Sequence, residues 1–190
     1  WTEQNVNFHG KHFQLSNSTA QPRIARREGR LHPKLYFGGA SDAAEQVAAT
    51  EADVQLFWGE PLQSVSDRIA RLKALSKRLD RDLPPLEFGL RITTVVRSTT
   101  VEAWRDAENR VAEMAKGSGA RWNDHLQSVA VGQQRLYDLQ QQGDVLDDNL
   151  YTAPGRVGGG GAATTWLVGS AADVAASLNK YRDLGISKFI

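Results

Sequence analysis

The sequence contains no cysteine. That excludes a disulfide framework, a thiolate metal site and a cysteine nucleophile from this stretch, and it fits a reducing, cytoplasmic compartment. Net charge is nearly absent as well: 23 Lys and Arg stand against 22 Asp and Glu, leaving +1. No global field draws nucleic acid or an anionic membrane, so neither is an expected partner. No run approaches the roughly 20 apolar residues of a membrane span, and the first residues do not read as a charged-then-apolar leader. The histidines His9, His12, His32 and His125 show no ligand spacing backed by carboxylates, so no metal site is expected.

What is present is a succession of short apolar runs and amphipathic segments in 190 residues, enough to bury a core. Val6, Phe8 and Phe13 alternate with polar residues around His9-Gly10-Lys11-His12, predicting a hairpin over 4–15. Residues 16–34 carry Arg23, Arg26, Arg27, Arg30 and Lys34 between Pro22 and Pro33, and read as a solvated loop. Leu35-Tyr36-Phe37 is a short strand ending in the turn Gly38-Gly39-Ala40-Ser41, followed by an Ala-rich helix from Asp42 to about Ala52. Val54–Trp58 is a second strand, closed by Gly59-Glu60-Pro61. In residues 62–80, Val65, Ile69, Leu72, Leu75 and Leu79 recur at helical spacing, and Pro84-Pro85 follow.

Leu86–Arg97 reads as a third strand, and Ser98-Thr99-Thr100 offers N-caps for a helix over 101–117 with Val101, Trp104, Val111 and Met114 on one face. A polar helical stretch runs from Ser128 to Gln142. Ser170 and Asp173 suggest a capping box for a helix that Gly185 ends, and Ile186–Ile190 would be the fourth strand. Strands alternating with helices argue for a parallel sheet. Such a four-stranded set leaves two unpaired edges, whereas the same pattern doubled is an eight-stranded (β/α) barrel of about 250 residues. The expectation is therefore the C-terminal half of one TIM barrel, residues 1–190, covering roughly strands five to eight, continued by segments on both sides. Alone, it would not form a stable monomer.

The spacing before the fourth strand is anomalous. Residues of about 118–169 exceed what a crossover needs, and loops beyond about 12–15 residues are usually functional or disordered. Gly155 and the run Gly158–Gly161 lie within this insert. It reads equally as a lid or as a flexible linker.

Gly38, Gly39, Ala40 and Ser41 join a strand to a helix, where close backbone approach and free amides make an anion cradle; a tight turn wants glycine too. In LEFGLRITTVVR, alternation puts Phe88, Leu90 and Ile92 against helices, and Gly89, Arg91 and Thr93 inside the barrel. An inward Arg91 would grip an anion or pair with a carboxylate elsewhere. Glu60, after Trp58, would face the site or serve as a helix-start carboxylate.

The phrases VNFHGKHFQL, PKLYFGGASDAAEQVAA, LFWGEP, FGLRITTVVR, SVAVGQQRL, DNLYTAPGRVGGGGAATTWLVGS and YRDLGISKFI, in this order, span nearly the whole chain. Together they resemble the bacterial-luciferase-like flavin monooxygenases, most nearly the two-component alkanesulfonate monooxygenases that use reduced FMN. The resemblance implies that Gly38, Gly39, Ala40 and Ser41 meet the flavin phosphate. It implies that Arg91 and Thr93 stand at the catalytic strand, and that Trp58, Tyr151 and Arg156 lie on the substrate or lid side. It also implies reduced FMN supplied by a separate NAD(P)H:FMN reductase, an organosulfur substrate converted to aldehyde and sulfite, and a homo-oligomer. Thr93 stands where the sulfonate enzymes carry a His, and Gly158 where they carry an Arg, the nearest here being Arg156. Those departures keep a dialkyl sulfone, an F420-type oxidoreductase and a non-catalytic flavin-binding relative as alternatives.

Overall fold

A computed structural model of the chain describes residues 3–22, 32–117, 130–158 and 163–190. Residues 1–35 and 36–190 form separate compact units. In the first, β1 (Val6–His9) pairs antiparallel with β2 (Gln14–Ser18), and Gly10 N–H donates to the Phe13 carbonyl at 2.9 Å. This is the hairpin expected from the alternation, with its second strand three residues longer. The basic cluster from Arg23 to Arg30, His125, Ser128 and Gly159–Gly161 lie outside the described residues.

The second unit follows β3 (Tyr36–Gly38), α1 (Asp42–Glu51), β4 (Val54–Trp58), α2 (Leu62–Arg78), β5 (Glu87–Arg91), β6 (Thr93–Arg97) and α3 (Thr100–Gly117). After α4 (Val131–Gln142) come β7 (Val145–Leu146), β8 (Leu150–Tyr151), a 3-10 turn (Ala153–Val157), β9 (Trp166–Ser170), α5 (Ala171–Leu184) and β10 (Ile186–Phe189). Strands β10, β5, β4 and β3 lie side by side in that order, and every pairing among them is parallel. Alternation along β4 and β5 sends Phe57, Phe88 and Leu90 into a dry layer with Val65, Ile69 and Leu72 of α2 and Tyr181 of α5. Phe57 and Phe88 stack there at 5.9 Å. Burying each such side chain contributes about 1.5–3 kcal/mol.

Three expectations are corrected. The run 86–97 is not one strand. β5 and β6 belong to different sheets, and the Ile92 N–H between them donates to the Ile190 carbonyl at 3.2 Å. The next strand also comes well before residue 186: β9 pairs parallel with β6, Thr93 lying beside Trp166, while β8 and β7 extend that sheet antiparallel. The core-facing positions also change parity at the break, from Phe88, Leu90 and Ile92 to Val95, with Val96 left exposed, and a strand read as continuous misses that switch. In α3, Val101 is 78% exposed, and Ala103 and Ala107 take the core face instead, beside Val95, Tyr151, Trp166 and Val168.

The described part of the insert is tied down. Asp147 Oδ2 accepts from Leu62 N–H at the start of α2 at 2.9 Å, and Asn149 Nδ2 donates to the Val168 carbonyl at 3.0 Å. Thr165 Oγ1 donates to the Gly59 carbonyl at 2.8 Å, and a Cβ on Gly59 would lie 2.3 Å from Thr165 Oγ1. No described helix is long and apolar enough to cross a membrane.

The expected capping box at Ser170 and Asp173 is present, and Gly185 ends α5 in the left-handed region at φ 112°. Asp173 Oδ2 also accepts from Thr100 Oγ1 at 2.6 Å. Hydrogen bonds from Thr100 and Ser170 hold the Asp173 carboxyl below its ordinary value. A depressed folded-state pKa contributes stability that is fully present above the ordinary value and lost as pH falls through the depressed one. Acid titration of stability by urea unfolding should therefore show a smaller loss below about pH 4 in Asp173→Asn than in the parent; equal losses would remove Asp173 as a contributor.

Candidate active site

Parallel strands place their carboxyl ends on one edge, the edge at which (β/α) barrels open their sites. Here that edge brings Gly38 beside Leu56 and Trp58 beside Arg91 in register. Beyond Gly38 the chain turns through Gly39 and Ala40 into α1, where Ser41 Oγ accepts from Ala44 N–H at 3.2 Å as the N-cap. The backbone N–H groups of Ala40 and Ser41 have no hydrogen-bond partner among the described residues. A cavity of about 400 Å³ opens there, walled by Gly38–Ser41, Leu56, Trp58 and the first turn of α4. A Cβ on Gly132 would come within 3.2 Å of the Trp58 ring, so glycine lets α4 approach that closely. Two helix N-termini, each carrying partial positive charge, thus border one cavity.

Behind the turn lies a layer of buried charge. Arg68 of α2 is 4% exposed, Glu45 of α1 2% and Glu60, after β4, 6%. Arg68 Nη1 donates to Glu60 Oε1 in a short contact, its Nε lies 3.6 Å from Glu45, and its guanidinium stacks 4.6 Å over Phe57. Arg71 donates to both Glu45 oxygens, at 2.8 and 2.5 Å, and Arg135 of α4 approaches Glu45 at 4.0 Å. Burial lowers the Arg68 pKa, and Glu60 opposes that shift. The Arg71 pKa is raised, chiefly by its hydrogen bonds to Glu45. Among the described residues lining the cavity, Arg68 and Arg135 stand against the single carboxylate of Glu60. That suits an anion.

The expected site residues divide into two groups. Gly38, Gly39, Ala40, Ser41 and Trp58 come together around the cavity. Arg91, Thr93, Tyr151 and Arg156 are not among its described lining residues. Arg91 is exposed at the end of β5, with no ion-pair partner among the described residues. Thr93, half-buried, opens β6. Tyr151 is buried edge-on between Trp104, at 5.2 Å, and Trp166, at 6.3 Å, and this desolvation raises its pKa. Arg156 is ion-paired with Asp144. Glu60 lines the cavity and faces Arg68.

The charge layer itself escapes a motif search, yet the sequence carries a signal for it. Arg68 shares the apolar stripe of Val65, Ile69 and Leu72, and Glu45 that of Ala48, Ala49 and Ala52. Opposite charges on facing apolar stripes mark a buried pair.

Comparison with known proteins gives the class. The luciferase-like monooxygenase family matches residues 1–188, and the chain belongs to that family. Three solved structures share the fold. Riboflavin lyase, described with modified FMN and its substrate riboflavin, is 14% identical with a TM-score of 0.62, over 97% of this chain and 43% of its own. The long-chain alkane monooxygenase LadA is 18% identical with a TM-score of 0.61, over 98% and 41%. An F420-dependent secondary alcohol dehydrogenase is 13% identical with a TM-score of 0.57, over 98% and 49%. The chain thus spans less than half the length of each. Its parallel sheet and covering helices are a partial (β/α) barrel of the luciferase-like type.

The Gly38–Ser41 turn leaves room for an anion at the cavity wall. A Cβ on Gly38 would meet nothing within 4 Å, so the wall is open there, whereas one on Gly39 would lie 2.6 Å from Ala44 Cβ and 3.0 Å from Phe37. Gly39→Ala is expected to destabilise the protein by about 1–3 kcal/mol, and Gly38→Ala to stay within about 0.5 kcal/mol. Denaturant unfolding of the two variants checks this, and equal losses would mean that the turn does not have the packing described.

Proposed function

We propose that this chain forms the phosphate-binding and substrate-facing half of a two-component flavin-dependent monooxygenase that desulfonates alkanesulfonates. The observation that carries the reading is the Gly38–Ser41 turn, opening at the N-terminus of α1 onto a cavity walled by Trp58, with Arg91 next to Trp58 on the same edge. Reduced FMN, delivered by a separate NAD(P)H:FMN reductase, supplies two electrons and activates oxygen when bound. One oxygen atom goes to the sulfonate-bearing carbon, the C–S bond breaks, and aldehyde and sulfite leave. The second oxygen departs as water with the two hydrogens of the reduced flavin.

The residues of this chain bind and orient. The amides of Ala40 and Ser41 donate to the phosphate, with the α1 dipole behind them. Trp58 and Leu56 supply an apolar wall that keeps water from the ring. Arg91 pairs with the sulfonate as it nears the flavin, and its guanidinium suits a three-oxygen anion because it presents several donors in one plane. Thr93 can donate a hydrogen bond but does not exchange protons near neutral pH. In this reading it would orient substrate rather than move a proton.

One observation supports a second substrate class. Arg156 is engaged by Asp144, leaving Arg91 as the cation offered at this edge by the expected set. A dialkyl sulfone carries no charge and needs only one hydrogen-bonding grip. An F420 cofactor is the competing cofactor, and direct binding of reduced FMN separates the two. The primary test is sulfite release by the full-length protein with reduced FMN, oxygen and a medium-chain alkanesulfonate. Sulfite is expected; none, with reduced FMN still bound, would transfer the assignment to a sulfone. In Arg91→Ala, kcat/KM for the sulfonate should fall roughly 10- to 100-fold, the loss of one charged hydrogen-bonded contact. An unchanged value would remove Arg91 from substrate binding.

A further inference from the structure

The carbonyl oxygen of Gly39 accepts two hydrogen bonds from side chains: Gln55 Nε2 at 3.1 Å and Arg68 Nη2 at 3.2 Å. Both donors belong to the layer behind the sheet. Gln55 is fully buried on β4, on the face that carries Phe57 toward the helices, and Arg68 is held by Glu60. The Gln55 amide orientation is not arbitrary, because its Nε2 faces the carbonyls of both Gly39 and Leu56, the latter at 2.9 Å. A flipped amide would set oxygen against both. Its Oε1 is buried without a hydrogen-bond partner among the described residues.

A trans peptide points its C=O and the following N–H in opposite directions. Anchoring the Gly39 carbonyl inward therefore turns the Ala40 N–H outward, and that N–H has no partner among the described residues. Glycine at 39 puts no Cβ against Ala44, so the turn can hold this arrangement without strain. We propose that Gln55 and Arg68 are positioning residues for the anion cradle: they touch no phosphate themselves, and by gripping the Gly39 carbonyl they aim the Ala40 amide at a flavin phosphate. Arg68 adds a second effect, since its charge stands behind the peptide whose donor faces the anion. The inference rests on the flavin reading of the site.

Its test is the preference for a phosphate-bearing flavin, measured as dissociation constants of reduced FMN and reduced riboflavin, under anaerobic conditions, for the full-length protein and two variants. Gln55→Met keeps the side-chain volume and removes the donor. Arg68→Lys keeps a cation facing Glu60 but loses the planar fork that spans Glu60 and the carbonyl at once. Each variant is expected to bind FMN roughly three- to tenfold more weakly, the loss of about one hydrogen bond, with riboflavin affinity unchanged. If one variant does not fold, the other reads the same contact from its second donor. Variants that keep the parent's FMN preference, or that lose both flavins equally, would overturn the positioning role while leaving the flavin assignment intact. A parent that binds FMN no better than riboflavin would instead overturn the phosphate reading of the turn, and this inference with it.

Discussion

Arg68 is the residue on which this partial barrel turns. A guanidinium held in a dry layer between sheet and helices must be paired, and breaking a buried pair costs about 3–5 kcal/mol. Its partners lie on separate elements: Glu60 after β4, Glu45 on α1 and the Gly39 carbonyl after β3. Through Glu45 the layer extends to Arg71 and to Arg135 of α4. One charge therefore fixes where the strand ends stand relative to the helix N-termini. The same demand for pairing that makes the interior specific also orients the turn facing the cavity.

The second organising feature is the break at Ile92. Because β5 and β6 enter different sheets, the chain after Arg91 leaves the main sheet and returns only at β10. Between these, β6, β7, β8 and β9 build a small mixed sheet with its own apolar cluster around Tyr151, Trp166 and Val168. Asp147 and Thr165 tie that sheet back to α2 and Gly59, and Asn149 Oδ1, accepting from Ser177 Oγ, ties it to α5. A long insert thus becomes a packed substructure anchored beside the site.

Much of this was legible in the residues. The hairpin, β3, β4, β10 and helices α1, α2, α3 and α5 follow from alternation, helical spacing and capping residues, and those signals are local. Ser170 with Asp173 and Gly185 marked both ends of α5 because cap chemistry is read within a few positions. The glycine turn at 38–41 was visible as a strand-to-helix junction, and Trp58 as the end of a strand. The strand break at Ile92 and strand β9 were not legible, since both depend on which distant segment supplies hydrogen bonds. Val101 was misplaced because the face of α3 is set by how closely β9 approaches, which selects Ala103 and Ala107 over larger side chains.

The sequence by itself determined the alternating α/β pattern, the parallel sheet it implies, the glycine turn between strand and helix and the family resemblance, because each is carried by neighbours in the chain. Tertiary structure alone decided that Arg68, Glu60, Glu45 and Gln55 meet behind that turn, and that Tyr151 is buried while Arg91 stays exposed. Charge pairing and burial depend on what comes within a few ångströms in space, and Gly39 and Arg68, 29 residues apart, become neighbours only when the sheet and its helices close over them.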